Sequence, residues 1–223
     1  MTRARDLRWV REPRQSRSRE TLDRILDAAE ALMAEKGFED ATVAEIVRRG
    51  GSSVGAFYAR FRDKDGLLYA LYERYLAQAT ATADDALDPA RWVDTPAAEL
   101  IEAVVAFLVK IYREQGGLIR AFVLRNQTDP EFRARQDRLS HYVARKLGAL
   151  LLEKRAAITH PDPERAVAFG LSMTFSTIED MVLFGETRSS ATALGDDDLS
   201  SELTRAYLAY LGIRPPTPTG SRS

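Results

Sequence analysis

Apolar residues recur at intervals of three and four over most of this chain, which is the spacing of the buried stripe of a helix. The nine prolines, which would break helix interiors, leave residues 14–88 and 164–214 free of proline. No stretch alternates apolar and polar residues with the β-branched enrichment of a strand. The sequence therefore predicts an all-α fold with about nine helices and no sheet.

The N-terminal third carries start and stop signals for four helices. Gly37 is expected to end the first helix as a left-handed cap. A capping box that begins at Thr42 opens a second, short helix, and Gly50-Gly51-Ser52 forces a turn after it. Ser53 is the natural N-cap of a third short helix, and Asp63 can cap a fourth.

Longer helices are expected further along the chain. The segment from Leu100 to Tyr112 is nearly all apolar, so its helix should be central. A short helix is predicted over Leu118–Arg125, and others begin near Pro130 and after Pro163, since proline is tolerated in a first helical turn. The last helix is expected from about Leu199 to Gly212.

The overall charge balance hides a basic head. The chain has 32 Lys and Arg against 33 Asp and Glu, which taken whole argues against a nucleic-acid binder. Residues 1–24, however, hold eight arginines and four acids, whereas the chain beyond residue 70 holds 18 basic and 21 acidic residues. Because a DNA-binding face is a local property, the total excludes nothing. The head fits either a solvated tail or an arm that contacts DNA.

Composition excludes several other classes of protein. Without cysteine there is no disulfide, no thiolate zinc site and no cysteine nucleophile, and with two histidines we predict no metal and no cofactor. The longest purely apolar run, Ala103–Val109, has seven residues, whereas a membrane span needs about 20. The arginine-rich N-terminus lacks the apolar core of a secretory signal. We therefore expect a cytoplasmic protein.

The most specific stretch is Thr42 to Lys64, TVAEIVRRGGSSVGAFYARFRDK. It predicts two short helices joined by a glycine turn, a spacing that lets the second helix enter a DNA major groove while the first crosses the backbone. Small uncharged residues from Val54 to Ala56 would permit close approach to base edges. Tyr58 and Lys64 offer a hydroxyl and a positive charge to phosphates. Considered as composition alone, a short helix pair is also compatible with ordinary packing.

The order of these residues resembles the DNA-binding domain of the TetR family, the tetracycline-repressor-like regulators. The pattern is Ser53-x-Gly55-x-Phe57-Tyr58-x-x-Phe61 followed by Lys64 and Leu67-Leu68, and the resemblance runs from about Ser18 to Tyr75. It implies phosphate contacts at Thr42, Tyr58 and Lys64, base contacts from Ser53 to Ala56, and an extra contact at Arg60. The implied DNA-binding residues are Thr42, Ser53, Val54, Gly55, Ala56, Tyr58, Arg60 and Lys64.

The resemblance also implies a domain organisation and two kinds of partner. We expect an arginine-rich, flexible arm (1–19), a helix-turn-helix domain (20–70), an effector-binding and dimerisation domain (71–213) and a disordered tail (214–223). A homodimer formed through the last two helices would bind a palindromic operator as a repressor, and a small apolar or amphipathic molecule would release it. The candidate pocket residues are Phe107, Tyr112, Phe122, Asn126, Tyr142, Phe169 and Met173.

The turn departs from the family pattern. The family commonly reads Ala-Gly-hydrophobic-Ser where this chain has Gly50-Gly51-Ser52-Ser53. We expect the extra glycine to loosen the turn and Ser52 to lose a small core contact. The preceding pair Arg48-Arg49 is compatible with phosphate contact and with solvated charge.

Two other functions fit parts of the sequence. Gly51-Ser52-Ser53-Val54-Gly55 matches the G-x-S-x-G elbow of serine hydrolases, with His141 or His160 as the base. That elbow needs a strand before the serine, and a capped helix is predicted there, so we expect no enzyme. The second alternative is a helical adaptor that binds another protein and no DNA.

Overall fold

The computed structural model describes residues 16–184 and 195–214, and within these ranges every regular element is helical. This confirms the predicted all-α fold. The nine α-helices of the described ranges are α1 (Ser16–Asp40), α2 (Val43–Arg49), α3 (Val54–Tyr58), α4 (Lys64–Ala86), α5 (Ala97–Glu114), α6 (Gly116–Thr128), α7 (Pro130–Glu153), α8 (Pro163–Phe184) and α9 (Asp196–Leu211). Apart from Arg214, the predicted tail lies outside the described residues, as does most of the predicted arm, although α1 takes in the arm's last four positions.

The chain forms two compact units. The first unit consists of residues up to 79 together with 117–128, and the second of residues 80–116 together with the chain from residue 129. The sequence suggested a single boundary after residue 70. The observed division lies after residue 79, and both positions fall inside α4, which continues without a break from Lys64 to Ala86. Helix α6 joins the N-terminal helices because its contacts are with them.

The first unit has a core of aromatic and aliphatic side chains. Phe57 and Phe61 are fully buried, and their ring centroids lie 5.0 Å apart. Phe122 of α6 contacts the ring of Tyr72 on α4 at 4.8 Å. The start of α6 also lies against the backbone of α1, because a Cβ added at Gly117 would stand 2.2 Å from the Met33 carbonyl oxygen. These contacts fix α6 within the unit that carries the helix-turn-helix.

Gly37 interrupts α1 instead of ending it. Its backbone has φ 82° and ψ 167°, and the helical segment continues beyond this kink to Asp40. A left-handed cap requires ψ near +47°, so the predicted cap is wrong, although glycine suits the positive φ. The last helix ends at Gly212 in a left-handed cap, with φ 68° and ψ 28°.

The second unit is organised around α5, α8 and α9, with α7 packed on α8. Helices α8 and α9 approach closely at Gly170, where an added Cβ would stand 2.0 Å from the ring of Tyr207. The Tyr207 hydroxyl donates to the Val167 carbonyl at 2.6 Å, and burial raises the pKa of this phenol above its ordinary value. Among the described helices, α8 is the one long and apolar enough to span a membrane, a property that core helices share.

Candidate nucleic-acid interface

The first helix of the motif, α2, begins with the predicted capping box. The Thr42 hydroxyl accepts from the Glu45 amide at 3.3 Å, and the Glu45 carboxylate accepts from the Thr42 amide at 3.0 Å. Lys36 lies 2.7 Å from the same carboxylate. Lys36 and then Thr42 lower the pKa of Glu45 to about 2. The cap therefore holds an ionised carboxylate, and the Thr42 hydroxyl is engaged within its own helix.

Both glycines of the turn between α2 and α3 occupy positions where a side chain is disfavoured, each for a different steric reason. A Cβ added at Gly50 would stand 2.9 Å from the carbonyl oxygen of Arg24 on α1. Gly51 has φ 57°, a conformation that side chains disfavour. The half-buried Ser52 places its Oγ out of solvent, and this oxygen has no hydrogen-bond partner within the described part of the chain. The position that is commonly hydrophobic in the family therefore carries an unsatisfied hydroxyl.

Helix α3 presents one buried and one exposed face. Ser53 caps it as predicted, because its Oγ accepts from the Ala56 amide at 3.1 Å. Phe57 points into the core, whereas Val54 and Tyr58 are 47% and 56% exposed. Gly55 is exposed, and its missing Cβ would meet no atom nearer than 3.9 Å. We call the exposed set of Ser53, Val54, Gly55 and Tyr58 the reading face; Ala56 is half-buried beside it.

Arg60, the implied extra contact, and Lys64, an implied phosphate contact, are both engaged within the protein. Arg60 is half-buried, and its guanidinium donates to the Ala56 carbonyl at 3.1 Å. The Lys64 ammonium donates to the Glu39 carbonyl at 2.8 Å and lies 4.4 Å from the centre of the Phe38 ring. A phosphate contact by either side chain would have to replace or extend these bonds.

Other basic side chains near the motif are more available. Arg48 is exposed, and no ion pair involves it among the described residues. Its neighbour Arg49 pairs with Glu35 at 2.6 Å. Arg62 was not singled out from the sequence, yet its side chain is 85% exposed. The signal was present in the residue type, because arginine is seldom buried without a partner.

The geometry around Ser53 does not suit a nucleophile. Its hydroxyl oxygen caps α3, and the preceding element is the helix α2 and not a strand. The ring of His160 hydrogen-bonds the backbone of Asp162 in its own loop. Within the described ranges no three or more His, Asp or Glu side chains group as metal ligands would.

The seven candidate pocket residues are divided between the two units. Phe122 and Asn126 belong to the first unit, where Phe122 packs among tyrosines. In the second unit Phe107 and Phe169 are 39% and 55% exposed. Of the other three, Tyr142 donates its hydroxyl to the Asp84 carboxylate and Met173 is half-buried.

Tyr112 lines a cavity of about 140 Å³, and none of the other six residues lines it. The side chains of this cavity come from α5, α8 and the start of α9 in the second unit. Helical spacing identified aromatic residues as pocket candidates, but it did not show which of them face one another.

Comparison with known proteins identifies the class of protein. Residues 25–71 match the bacterial regulatory proteins of the TetR family, and residues 96–211 match the C-terminal domain of tetracycline-repressor-like proteins. The second match alone covers more than half of the chain. The chain therefore belongs to the TetR family, as the helix-turn-helix residues predicted, and this membership does not favour a hydrolase or an adaptor.

Individual relatives are similar mainly in the N-terminal region. The chain is 48% identical over 52 residues to the regulator BetI of Serratia proteamaculans, covering 23% of this chain and 26% of that protein. It is 41% identical over 59 residues to the transcriptional repressor Rv1474c of Mycobacterium tuberculosis, covering 26% of this chain and 32% of that protein. These matches thus span a third or less of the relatives' length.

Solved structures extend the likeness in fold to nearly the whole chain. A TetR-family regulator from Mesorhizobium loti superposes with a TM-score of 0.65 at 18% identity. The superposition covers 89% of this chain and 98% of the other. At this identity the likeness establishes the fold, and the function has to be argued from the site.

Proposed function

We propose that this protein is a cytoplasmic, homodimeric transcriptional repressor whose α3 helices bind the two halves of a palindromic DNA operator. The observation that carries the proposal is the reading face: a capped helix with an exposed side free of bulky charge. Val54, Gly55 and the half-buried Ala56 leave room for base edges, and Tyr58 supplies an exposed hydroxyl for a phosphate. Family membership supports this assignment.

Phosphate contact would involve both exposed and engaged side chains. Arg48 and Arg62 are accessible without any rearrangement. Lys64 holds the α1 carbonyl of Glu39, so its ammonium would orient α1 against the start of α4 as well as attract phosphate. We therefore assign Lys64 a positioning role together with a contact role, and Arg60 the positioning role alone.

Dimerisation through α8 and α9 is supported by apolar surface that the single chain leaves uncovered. Phe169 and Phe184 of α8 are 55% and 49% exposed. Phe169 contacts the ring of Tyr210 on α9 at 5.2 Å, so the two helices share an aromatic patch. A two-fold dimer formed through this patch would carry two identical reading faces, which matches the two half-sites of a palindromic operator.

A small-molecule effector would act by shifting the population of dimer conformers. Helix α4 runs from the first unit into the second without interruption, so it connects the reading face to the second unit. An effector that prefers conformers with wrongly spaced reading faces would weaken operator binding by its differential affinity.

The proposal is tested with duplex DNA from the region flanking the protein's own gene. Fluorescence anisotropy is measured at several salt concentrations for the parent and for Tyr58→Phe and Val54→Ala. We expect Tyr58→Phe to weaken binding to all sequences, and Val54→Ala to change which sequences are preferred. Val93→Ala is the matched control, since Val93 is 69% exposed outside the motif. Parent protein that binds no such duplex, or variants that bind like the parent, would contradict the proposal.

A further inference from the structure

A carboxylic acid of the second unit lies half-buried beside the cavity that Tyr112 lines. Glu179 of α8 accepts from the Tyr112 hydroxyl at 3.4 Å. Within the described ranges no Lys, Arg or His lies close enough to pair with it. Burial raises the pKa of Glu179, and the hydrogen bond from Tyr112 offsets this only in part. A half-buried acid without a cationic partner costs stability, and groups with pKa values raised in this way cluster at binding sites.

The neighbouring cavity has the size and lining of a site for a small apolar body. Its volume is about 140 Å³, close to the roughly 150 Å³ of a cavity known to hold benzene in another protein. Apolar side chains from α5, α8 and α9 form most of its wall, among them Val109, Ile178, Val182 and Leu199. Tyr112 belongs to this wall, and its hydroxyl donates to Glu179, which does not itself line the cavity but is joined to its wall by this hydrogen bond.

The charged side chains around the cavity indicate the sign of the charge that its ligand should carry. Arg113 also lines the cavity, but its guanidinium lies 2.6 Å from the Asp196 carboxylate and is neutralised there. Glu179 has no such partner. The acidic group is therefore the one that gains from a ligand of opposite charge, because a buried carboxylate is stabilised by a paired cation.

We infer that this cavity is an effector site for a small aromatic or aliphatic amine. The apolar body would occupy the space beside Val109 and Ile178, and the ammonium group would donate to the carboxylate of Glu179. Tyr112 would orient that carboxylate through its hydroxyl. The inference rests on the proposed function, since it gives the expected effector a chemical class and a place.

The test compares three molecules of similar size that differ in charge: benzylamine, toluene and benzoate. Their affinities for the full-length chain are measured by calorimetry or by the rise in Tm. Benzylamine is expected to bind more tightly than toluene, and benzoate not to bind. Glu179→Gln should weaken benzylamine about 10- to 100-fold, since a hydrogen bond to a charged group is lost, and leave toluene unchanged. Glu164→Gln, an exposed change on the same helix, is the matched control.

A second variant tests the cavity independently, in case Glu179→Gln alters the fold. Val182→Phe fills the cavity from a half-buried position and should abolish binding of benzylamine and toluene alike while Glu179 remains. Equal affinities for benzylamine in the parent and in Glu179→Gln would overturn the assignment of the acid. Undiminished binding to Val182→Phe would overturn the assignment of the cavity.

Operator binding of the same preparations separates this inference from the proposed function. Benzylamine should weaken DNA binding of the parent and leave that of Glu179→Gln unaffected. If the parent binds both benzylamine and DNA but the amine does not change the DNA affinity, the cavity is not an effector site. If the parent binds benzylamine and no DNA, the proposed regulator function fails whereas the amine site stands.

Discussion

The reading face and the Tyr112 cavity differ in how far apart in sequence their determining contacts lie. Thr42 and Ser53 each cap a helix by accepting from an amide three residues away. In the second unit the Tyr112 hydroxyl reaches an acid 67 residues away, and Tyr207 donates to a carbonyl 40 residues away. A surface built by local contacts can be derived from a motif, whereas a cavity built by distant contacts depends on how helices pack.

The largest loss of stability is expected at Gly117, where a contact between residues far apart in sequence leaves no room for a side chain. Gly117→Ala would place a methyl group 2.2 Å from the Met33 carbonyl oxygen, and because this atom is backbone, α6 or α1 must move. We expect the free energy of unfolding to fall by about 1–3 kcal/mol. Denaturant unfolding measures it. Gly116→Ala is the control, since its Cβ would meet nothing within 4 Å, and equal stabilities of the two variants would disprove the close packing of α6 on α1.

A similar loss is expected between α8 and α9. At Gly170 an added methyl group would overlap the ring of Tyr207, which is fully buried and held by its bond to Val167. Gly170→Ala should therefore destabilise the chain by about 1–3 kcal/mol. Gly148→Ala tests the specificity, because its new Cβ would make an ordinary 3.9 Å contact. Thermal unfolding with an unchanged Tm for Gly170→Ala would show that the two helices separate more easily than their contact indicates.

Removing the local contacts of the reading face should lower the free energy of unfolding by less. Ser53→Ala deletes the oxygen that accepts from the Ala56 amide, for an expected loss of about 1 kcal/mol. Ser53→Asn supplies another capping oxygen and should recover most of this loss. Both are measured by chemical unfolding. A full loss in both variants would mean that the serine contributes through something other than its cap.

Removal of the hydroxyl at Ser52 should raise the stability of the fold, whereas the changes above lower it. Its buried oxygen lacks a hydrogen-bond partner in the described part of the chain, so Ser52→Ala removes a desolvation cost and should stabilise by up to about 1 kcal/mol. Ser176→Ala, at an exposed position of α8, corrects for the change in residue type. A drop in Tm for Ser52→Ala relative to that control would contradict an unsatisfied hydroxyl.

The features that could be predicted from the sequence are those that depend on contacts between neighbouring residues, and the features that were missed depend on contacts between residues far apart in sequence. The capping box, the Ser53 cap and the α6 range were derived from neighbouring residues, and the structure confirms them. The bond from Arg60 to the Ala56 carbonyl was not predicted, because it depends on a side-chain conformation that the helical pattern leaves open. Glu179 was missed altogether, since nothing near it in sequence indicates that Tyr112 stands opposite. The place of α6 in the first unit likewise depends on packing that no local signal reports.

The smallest effect on stability concerns the charge of Glu45 in the capping box. It is detected by measuring stability as a function of pH. Lys36 and Thr42 hold the pKa of Glu45 at about 2 in the folded chain, below its ordinary value of 4.5. The carboxylate therefore stabilises the fold above pH 4.5, and this contribution is lost as the pH falls from there toward 2. Glu45→Gln keeps an amide oxygen for the box but cannot titrate. The difference in Tm between the parent and Glu45→Gln should thus be constant above about pH 5 and shrink toward pH 2. Because the pair is exposed, added salt should reduce the difference. A difference that stays constant down to pH 2 would place the stabilising interaction elsewhere than on the Glu45 charge.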